Sequence, residues 1–527
     1  MAVGEPLGSE APTLKRSCGL DGIDGGNDLE VGAVSLDPRT PVIVGVGQRI
    51  RKIDDPLQAP TPVPFITEAV RAAADDAGIT SLDAVDSVRT VSFLSWRYRD
   101  PARFIAAELG ISPAETVLTT QGGNTPQSLL NATALDIQSG RNSMVILCGG
   151  ETSRTRKRAR AAGVDLPWPV VPEDVAPTRV MGEELVMNHE VEISRKIFAP
   201  VQIYPMFETA IRASLGRTPD EHQRVISELW SRFSHVAAGN PYAAIRTART
   251  PEEIRTVGPR NRMIGLPYPK LMNSNNDVDQ SAAVIMCSVE TAERLGVSRD
   301  RWVFPLAGTD CHEHKYVSER LAFHDTPAIR LGGRLVLDLA GIGIDDVDVI
   351  DLDSCFPSAV QLGAASLGLS LDRQLTRTGG LPFAGGPWNN YVMHAIATVV
   401  SELRERPGEP GLVWANGGYA TKHAFGVYST TPPADGFRHA YPQDQIDALP
   451  RRSFVDVGAS EGAATIEAYT VMHDRDGNPE QAIAAVLNAE GVRAWGISTD
   501  PSVTAAMCDG EWVGRAVRLD AEGTLLV

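Results

Sequence analysis

The sequence predicts an α/β protein made of two strand–helix series followed by a small antiparallel module, and three observations carry that reading. First, Pro41-Val42-Ile43-Val44-Gly45-Val46-Gly47 is an apolar run ending in glycine, and residues 65–77 after it repeat apolar side chains at helical spacing before Gly78. Alternation of this kind continues to residue 150 and builds a parallel sheet with helices on its faces. Second, a similar series runs from Trp302 to about Thr431, with apolar segments at 347–352, 392–403 and 412–415. Third, the character changes past Pro432-Pro433, where short strands are expected at 463–473, 481–488, 492–498, 511–519 and 524–527. Turn residues separate them at Asp476-Gly477-Asn478-Pro479, Glu490-Gly491, Asp500-Pro501, Asp509-Gly510 and Glu522-Gly523. Such a run of short strands predicts a small antiparallel barrel of the OB type.

Residues 1–38 are rich in Gly, Asp, Glu and Pro and lack the charged start and apolar core of a signal peptide, so they are expected to be a disordered leader. Residues 39–298 form the first half. Within it a helix is expected from Thr125, whose hydroxyl can cap it, through Pro126 at the first helical position to a stop at Gly140. Leu130, Ala134 and Ile137 share one face of that helix. From about 151 to 270 the chain is longer-looped, with helices expected at 207–215 and 221–237. Residues 299–432 form the second half, and 433–527 a linker and the barrel. At 527 residues the chain exceeds one ordinary domain.

Several motifs occur in a telling order. Gly122-Gly123-Asn124-Thr125-Pro126 opens the helix that ends in Ile137 and Gly140, and the next strand finishes in Gly149-Gly150-Glu151. The block 267–284 follows, then Asp351-Leu352-Asp353-Ser354-Cys355-Phe356, then Gly379-Gly380 and Gly385-Gly386-Pro387, and last Trp414-Ala415-Asn416-Gly417-Gly418. Together these resemble the thiolase family, and its sterol-carrier-type members in particular, over about residues 40–432. The resemblance implies a duplicated, five-layered α-β-α-β-α core. It also makes 151–270 the family's loop domain, which carries part of the coenzyme A pocket. The tail does not resemble the α+β lipid-binding domain that sterol-carrier-type thiolases append.

The departures from the family pattern bear on function. Gly123 stands where the family has its nucleophilic cysteine, Asp353 where it has the signature histidine, Gly386 where it has the catalytic histidine, and Asn416 where it has the second cysteine. A thiol at position 123 would gain from the helix N-terminus, which stabilises a thiolate; glycine offers no such group. A carboxylate at 353 accepts a hydrogen bond where an imidazole donates one, unless it is protonated. The resemblance therefore implies a thioester cradle stripped of thiol and imidazole. On that resemblance the chain is expected to be a nominal acetyl-CoA acetyltransferase that binds acyl-CoA, with no covalently bound cofactor and no cysteine-dependent thiolase activity. Two alternatives are a CoA-thioester lyase of the retro-aldol type, which needs a base but no thiol, and a non-catalytic scaffold.

Residues left to do chemistry are few. Cys355 is a candidate displaced nucleophile, against the ordinary reading of a small buried hydrophobe. His423, just past the loop expected to face the acyl group, is a candidate base, against that of a satisfied strand histidine. Trp388, Asn389 and Asn390 are candidates to line the pocket and hydrogen-bond a thioester carbonyl. Arg154, Arg156 and Arg158 belong to a basic run that could attract coenzyme A phosphates, with a solvated helix face as the plain alternative. Asp310-Cys311-His312-Glu313-His314 brings two histidines to one face of a strand, but no third ligand is evident and no metal is expected.

Composition limits the rest. A formal net charge of −17 argues against a general nucleic-acid binder. The six cysteines are scattered, with no paired framework, which suits a reducing cytoplasm. The chain has no run of about 20 apolar residues of the kind a membrane span needs. The altered cysteine loop lies beside the family's pairing surface, so either a monomer or a homodimer is expected.

Overall fold

A computed structural model describes residues 36–59, 61–169, 174–455 and 461–527; the predicted leader lies almost wholly outside them. Two sheets form the core. The first holds β1 (Pro41–Arg51), β2 (Ser87–Thr90), β3 (Glu115–Thr119), β4 (Met144–Thr152), β5 (Arg179–Met181) and β6 (Asp279–Ser288), in the order β1-β6-β4-β2-β3-β5. Its β4-β2-β3-β5 run is parallel, whereas β6 lies antiparallel to both β1 and β4. Every residue of β4 and β6 is buried, as expected of strands covered on both faces.

The second sheet holds β7 (Phe304–His312), β8 (Val349–Leu352), β9 (Gly411–Gly417), β10 (Lys422–Ser429) and β11 (Arg438–Ala440), in the order β8-β9-β10-β7-β11. The tight turn between β9 and β10 pairs Gly417 with Lys422 and Asn416 with His423.

Helices set the layers. α1 (Pro62–Ala77) and α2 (Pro101–Leu109) cover the outer side of the first sheet. α3 (Thr125–Gln138) touches both sheets, and helix 391–405 of the second half does the same. Between these two central helices Leu129, Leu130, Ala134 and Ile137 meet Val392, Ile396, Val399 and Leu403 in one apolar cluster. α4 (Ser153–Ala162), α5 (Pro200–Ser214) and α6 (Pro219–Gly239) belong to the inserted segment. α7 (Pro327–Ala340) and α8 (Pro357–Leu367) belong to the second half, with α7 packed on the second sheet; α9 (Tyr391–Glu405) is the central helix already met. The result is the expected five-layered α-β-α-β-α core. α5 begins seven residues earlier than predicted, because Pro200 starts it and Pro205 is accommodated inside it.

The tail is antiparallel as expected, with β12 (Gly462–His473), β13 (Pro479–Leu487), β14 (Arg493–Ser498), β15 (Ala516–Leu519) and β16 (Leu525–Leu526) in the order β14-β13-β12-β15-β16. It is not a closed barrel. The sheet stays open, and Ile497 and Thr524 make only an isolated bridge. One reason is local: Asp500 caps and Pro501 starts α10 (Pro501–Cys508), a helix the sequence reading did not expect, and it takes the chain out of the sheet between β14 and β15. The short strand Met263–Gly265 adds to the same sheet beside β12.

Candidate active site

The loop before α3 is where the thiolase resemblance leads us to expect a nucleophile. Thr125 donates its hydroxyl hydrogen to the Gly122 carbonyl (2.7 Å) and so fixes the turn into the helix. A Cβ built on Gly123 would lie 2.4 Å from the Asn416 carbonyl oxygen and 3.8 Å from Asp353 Oδ2. Real carbon–oxygen contacts stop well outside the first distance. Position 123 is therefore filled by the β9 backbone, rather than left as a hole the size of a cysteine.

Asp353 sits in the turn between β8 and α8 and is buried, with its amide donating to the Trp414 carbonyl (3.0 Å). Burial, the dominant cause, lifts its carboxyl to about 7, against a contact with the Cys355 amide that favours the charged form. The Cys355 thiol is pushed well above its ordinary value, by burial first and by the Asp353 charge second. A thiol held in that way is protonated and inert at neutral pH.

Asn416 and Gly386 are the other two positions that the resemblance singles out. The Asn416 amide donates to the Tyr204 hydroxyl (2.9 Å) and to Cys355 Sγ (3.6 Å), while its Oδ1 is buried without a partner. A Cβ on Gly386 would lie 2.2 Å from Ser274 Oγ, so Ser274 takes the space a histidine side chain would enter. Tyr204 is the residue that sequence reasoning missed. It comes from α5 in the inserted segment, stacks on Phe356 with centroids 4.5 Å apart, accepts from the Ala420 amide (2.9 Å) and donates to the Gly418 carbonyl (3.1 Å). No spacing in the sequence could connect residue 204 with 356 and 416.

The remaining candidates are placed as follows. Asn389 Oδ1 accepts from the Gly122 amide (3.0 Å), and its amide donates to the Ser92 carbonyl (2.8 Å) and Gln121 Oε1 (2.6 Å). It therefore ties the Gly386 turn to the loop before α3. Asn390 is buried against Gly149, with both of its amide atoms unpartnered, and Trp388 is exposed. His423 is wholly buried beside the Trp414 ring, and neither ring nitrogen has a partner. Burial and then the Arg320 charge push it down to about 3, so it is a neutral and very weak base. Arg154 and Arg158 both pair with Asp54, and Arg156 donates to the Leu94 carbonyl (3.0 Å). His312 and His314 belong to no group of three or more metal-ligating side chains among the described residues.

A cavity of about 570 Å³ opens beside the α3 loop, lined by Asn124, Ser128, Leu129, Val180, Leu185 and Lys422 among others. Its volume falls in the range of small-molecule sites.

Known proteins bear on this arrangement. A family model described as the thiolase-like protein type 1 additional C-terminal domain matches residues 442–524. The crystal structure of a monomeric SCP2-thiolase-like protein type 1 from Mycobacterium smegmatis is 33% identical to the chain, with TM-score 0.79, over 94% of this chain and 100% of its own. The Ltp2-ChsH2(DUF35) aldolase is similar at 17% identity and TM-score 0.56, over 74% of this chain and 98% of its own. Acetyl-CoA acetyltransferase from Syntrophomonas wolfei is similar at 16% identity and TM-score 0.53, over 75% and 100%. The last two likenesses show the fold alone. A search of curated proteins returns no match.

Proposed function

The chain belongs to the SCP2-thiolase-like proteins of type 1, and from that premise we propose that it binds a coenzyme A thioester without cysteine chemistry, as a carrier, sensor or partner protein. One observation carries the second half of this reading: the Asn416 carbonyl stands 2.4 Å from where a side chain at position 123 would begin. The nearby Cys355 is no substitute, because burial and Asp353 keep its sulfur protonated. The thioester half rests on family membership. A monomer is the state we expect, since the M. smegmatis relative is described as monomeric and β5 covers the β3 edge here.

Calorimetric titration with CoA and acyl-CoA, followed by intact mass after incubation with acyl-CoA, tests the proposal. Binding with no covalent adduct is the expected result. Absence of binding overturns the thioester reading, and an acyl adduct lost in Cys355→Ala overturns the claim that no nucleophile remains.

A second reading, a retro-aldol lyase, is favoured by one feature. Asp353 is a carboxyl lifted to about 7 beside the Gly123 loop, a value suited to a general base at neutral pH. Cleavage of a β-hydroxyacyl-CoA by the wild type and not by Asp353→Asn would establish it.

A further inference from the structure

Among the described residues Lys422 is the one buried lysine. The chain has seven lysines; Lys52, Lys157, Lys196, Lys270 and Lys315 are exposed, and Lys15 lies outside the described residues. Lys422 is 7% exposed, opens β10, and lines the 570 Å³ cavity. Its amine donates to the Gln121 carbonyl and makes no ion pair among the described residues. Gly122 makes room for it, since a Cβ there would lie 2.9 Å from Nζ. The amine is thus held at the amino end of α3, where the helix dipole is positive and an ammonium is disfavoured.

We propose that Lys422 is a nucleophilic amine that captures an aldehyde or ketone in this cavity as an imine. The lone pair of the neutral amine attacks the carbonyl carbon, and the C=O electrons move to oxygen to give a carbinolamine. The C–O bond then breaks, and the oxygen leaves as water with the two hydrogens that nitrogen carried, so no oxidant or reductant is consumed. Lysine is activated for this step by loss of solvent, a condition its burial meets here. Burial is the largest influence on this amine and lowers its pKa, with Glu183 and Glu184 acting in the opposite direction. Leu129, Val180 and Leu185 give the cavity an apolar side, so a carbonyl compound with an apolar body is the class that fits. The proposal does not depend on thioester binding.

The test uses the full-length protein with 4-phenylbutan-2-one and sodium cyanoborohydride at neutral pH. The hydride reduces an imine to a stable secondary amine that peptide mapping can place. Lys422 is expected to be labelled at least several-fold faster than each exposed lysine. Lys422→Arg, checked by its melting curve, is expected to lose that adduct alone. Labelling confined to the exposed lysines in native protein overturns the proposal, and so does an unchanged fast adduct in Lys422→Arg. The wild-type map is decisive by itself should the variant fail to fold.

Discussion

At the scale of single residues, the identities of Gly123, Asp353, Gly386 and Asn416 could be read directly from the sequence, but their surroundings could not. Asp353 shows the difference. The sequence announces a carboxylate; only its burial between β8, β9 and the Cys355 amide shows that it takes up a proton near pH 7. A carboxyl with a folded pKa of about 7 and an ordinary value of 3.8 binds a proton in the folded state that the unfolded chain has released. Stability therefore falls as pH rises between those two values. Asp353→Asn removes this titration. Urea unfolding is expected to find the variant gaining on wild type from pH 4 to pH 8, by on the order of a few kcal/mol. Glu151, also lifted by burial to about 7, titrates in both proteins and cancels from the comparison. Equal pH slopes would refute the account.

At the scale of elements, the strand–helix series was legible because apolar periodicity is a local property. α3 stops before Gly140 as expected, but Thr125 is its first helical residue and not its cap: Asn124 holds the cap position without a side-chain bond, and the Thr125 hydroxyl donates to the Gly122 carbonyl. The first three strands of the tail fall close to their predicted spans. α10 was missed because Asp500-Pro501 serves equally as a turn and as a helix start. The contact of the α3 loop with β9 has no signature in either segment. Gly123→Cys drives a side chain into the Asn416 carbonyl, so it is expected to lose about 1–3 kcal/mol and to restore no thiolysis. Chemical denaturation and a thiolysis assay check both halves. A stable variant that cleaves a thioester would show that the loop and the β9–β10 hairpin can separate.

At the scale of the whole molecule, the tail is tied into the core by buried polar groups. Arg493 of β14 donates through Nη1 to the carbonyls of Val317, Ser318 and Arg320 and pairs with Glu467 through Nε and Nη2. Arg212 of α5 does the same toward Glu511, and Thr209 exchanges hydrogen bonds with the Tyr469 backbone. Arg493→Met leaves three carbonyls and a carboxylate without their donor. A loss of about 3 kcal/mol is expected, near the low end for breaking a buried pair because Glu467 keeps some contact with water. Calorimetry should show an earlier melt, and proteolysis faster cutting between residues 433 and 461. An unchanged melt would mean that the tail is held mainly by its apolar contacts.

The sequence alone determined the layered α/β core, the antiparallel tail and the residues at 123, 353, 386 and 416, because each of these is written in local periodicity or in a single residue. Tertiary structure alone decided that position 123 is filled by a backbone carbonyl, that Tyr204 packs against Asn416 and Ser274 against Gly386, and that Lys422 is buried at the head of α3. These facts arise where residues far apart in the chain converge, and the burial that shifts their chemistry is a property of the packed molecule, not of any stretch of it.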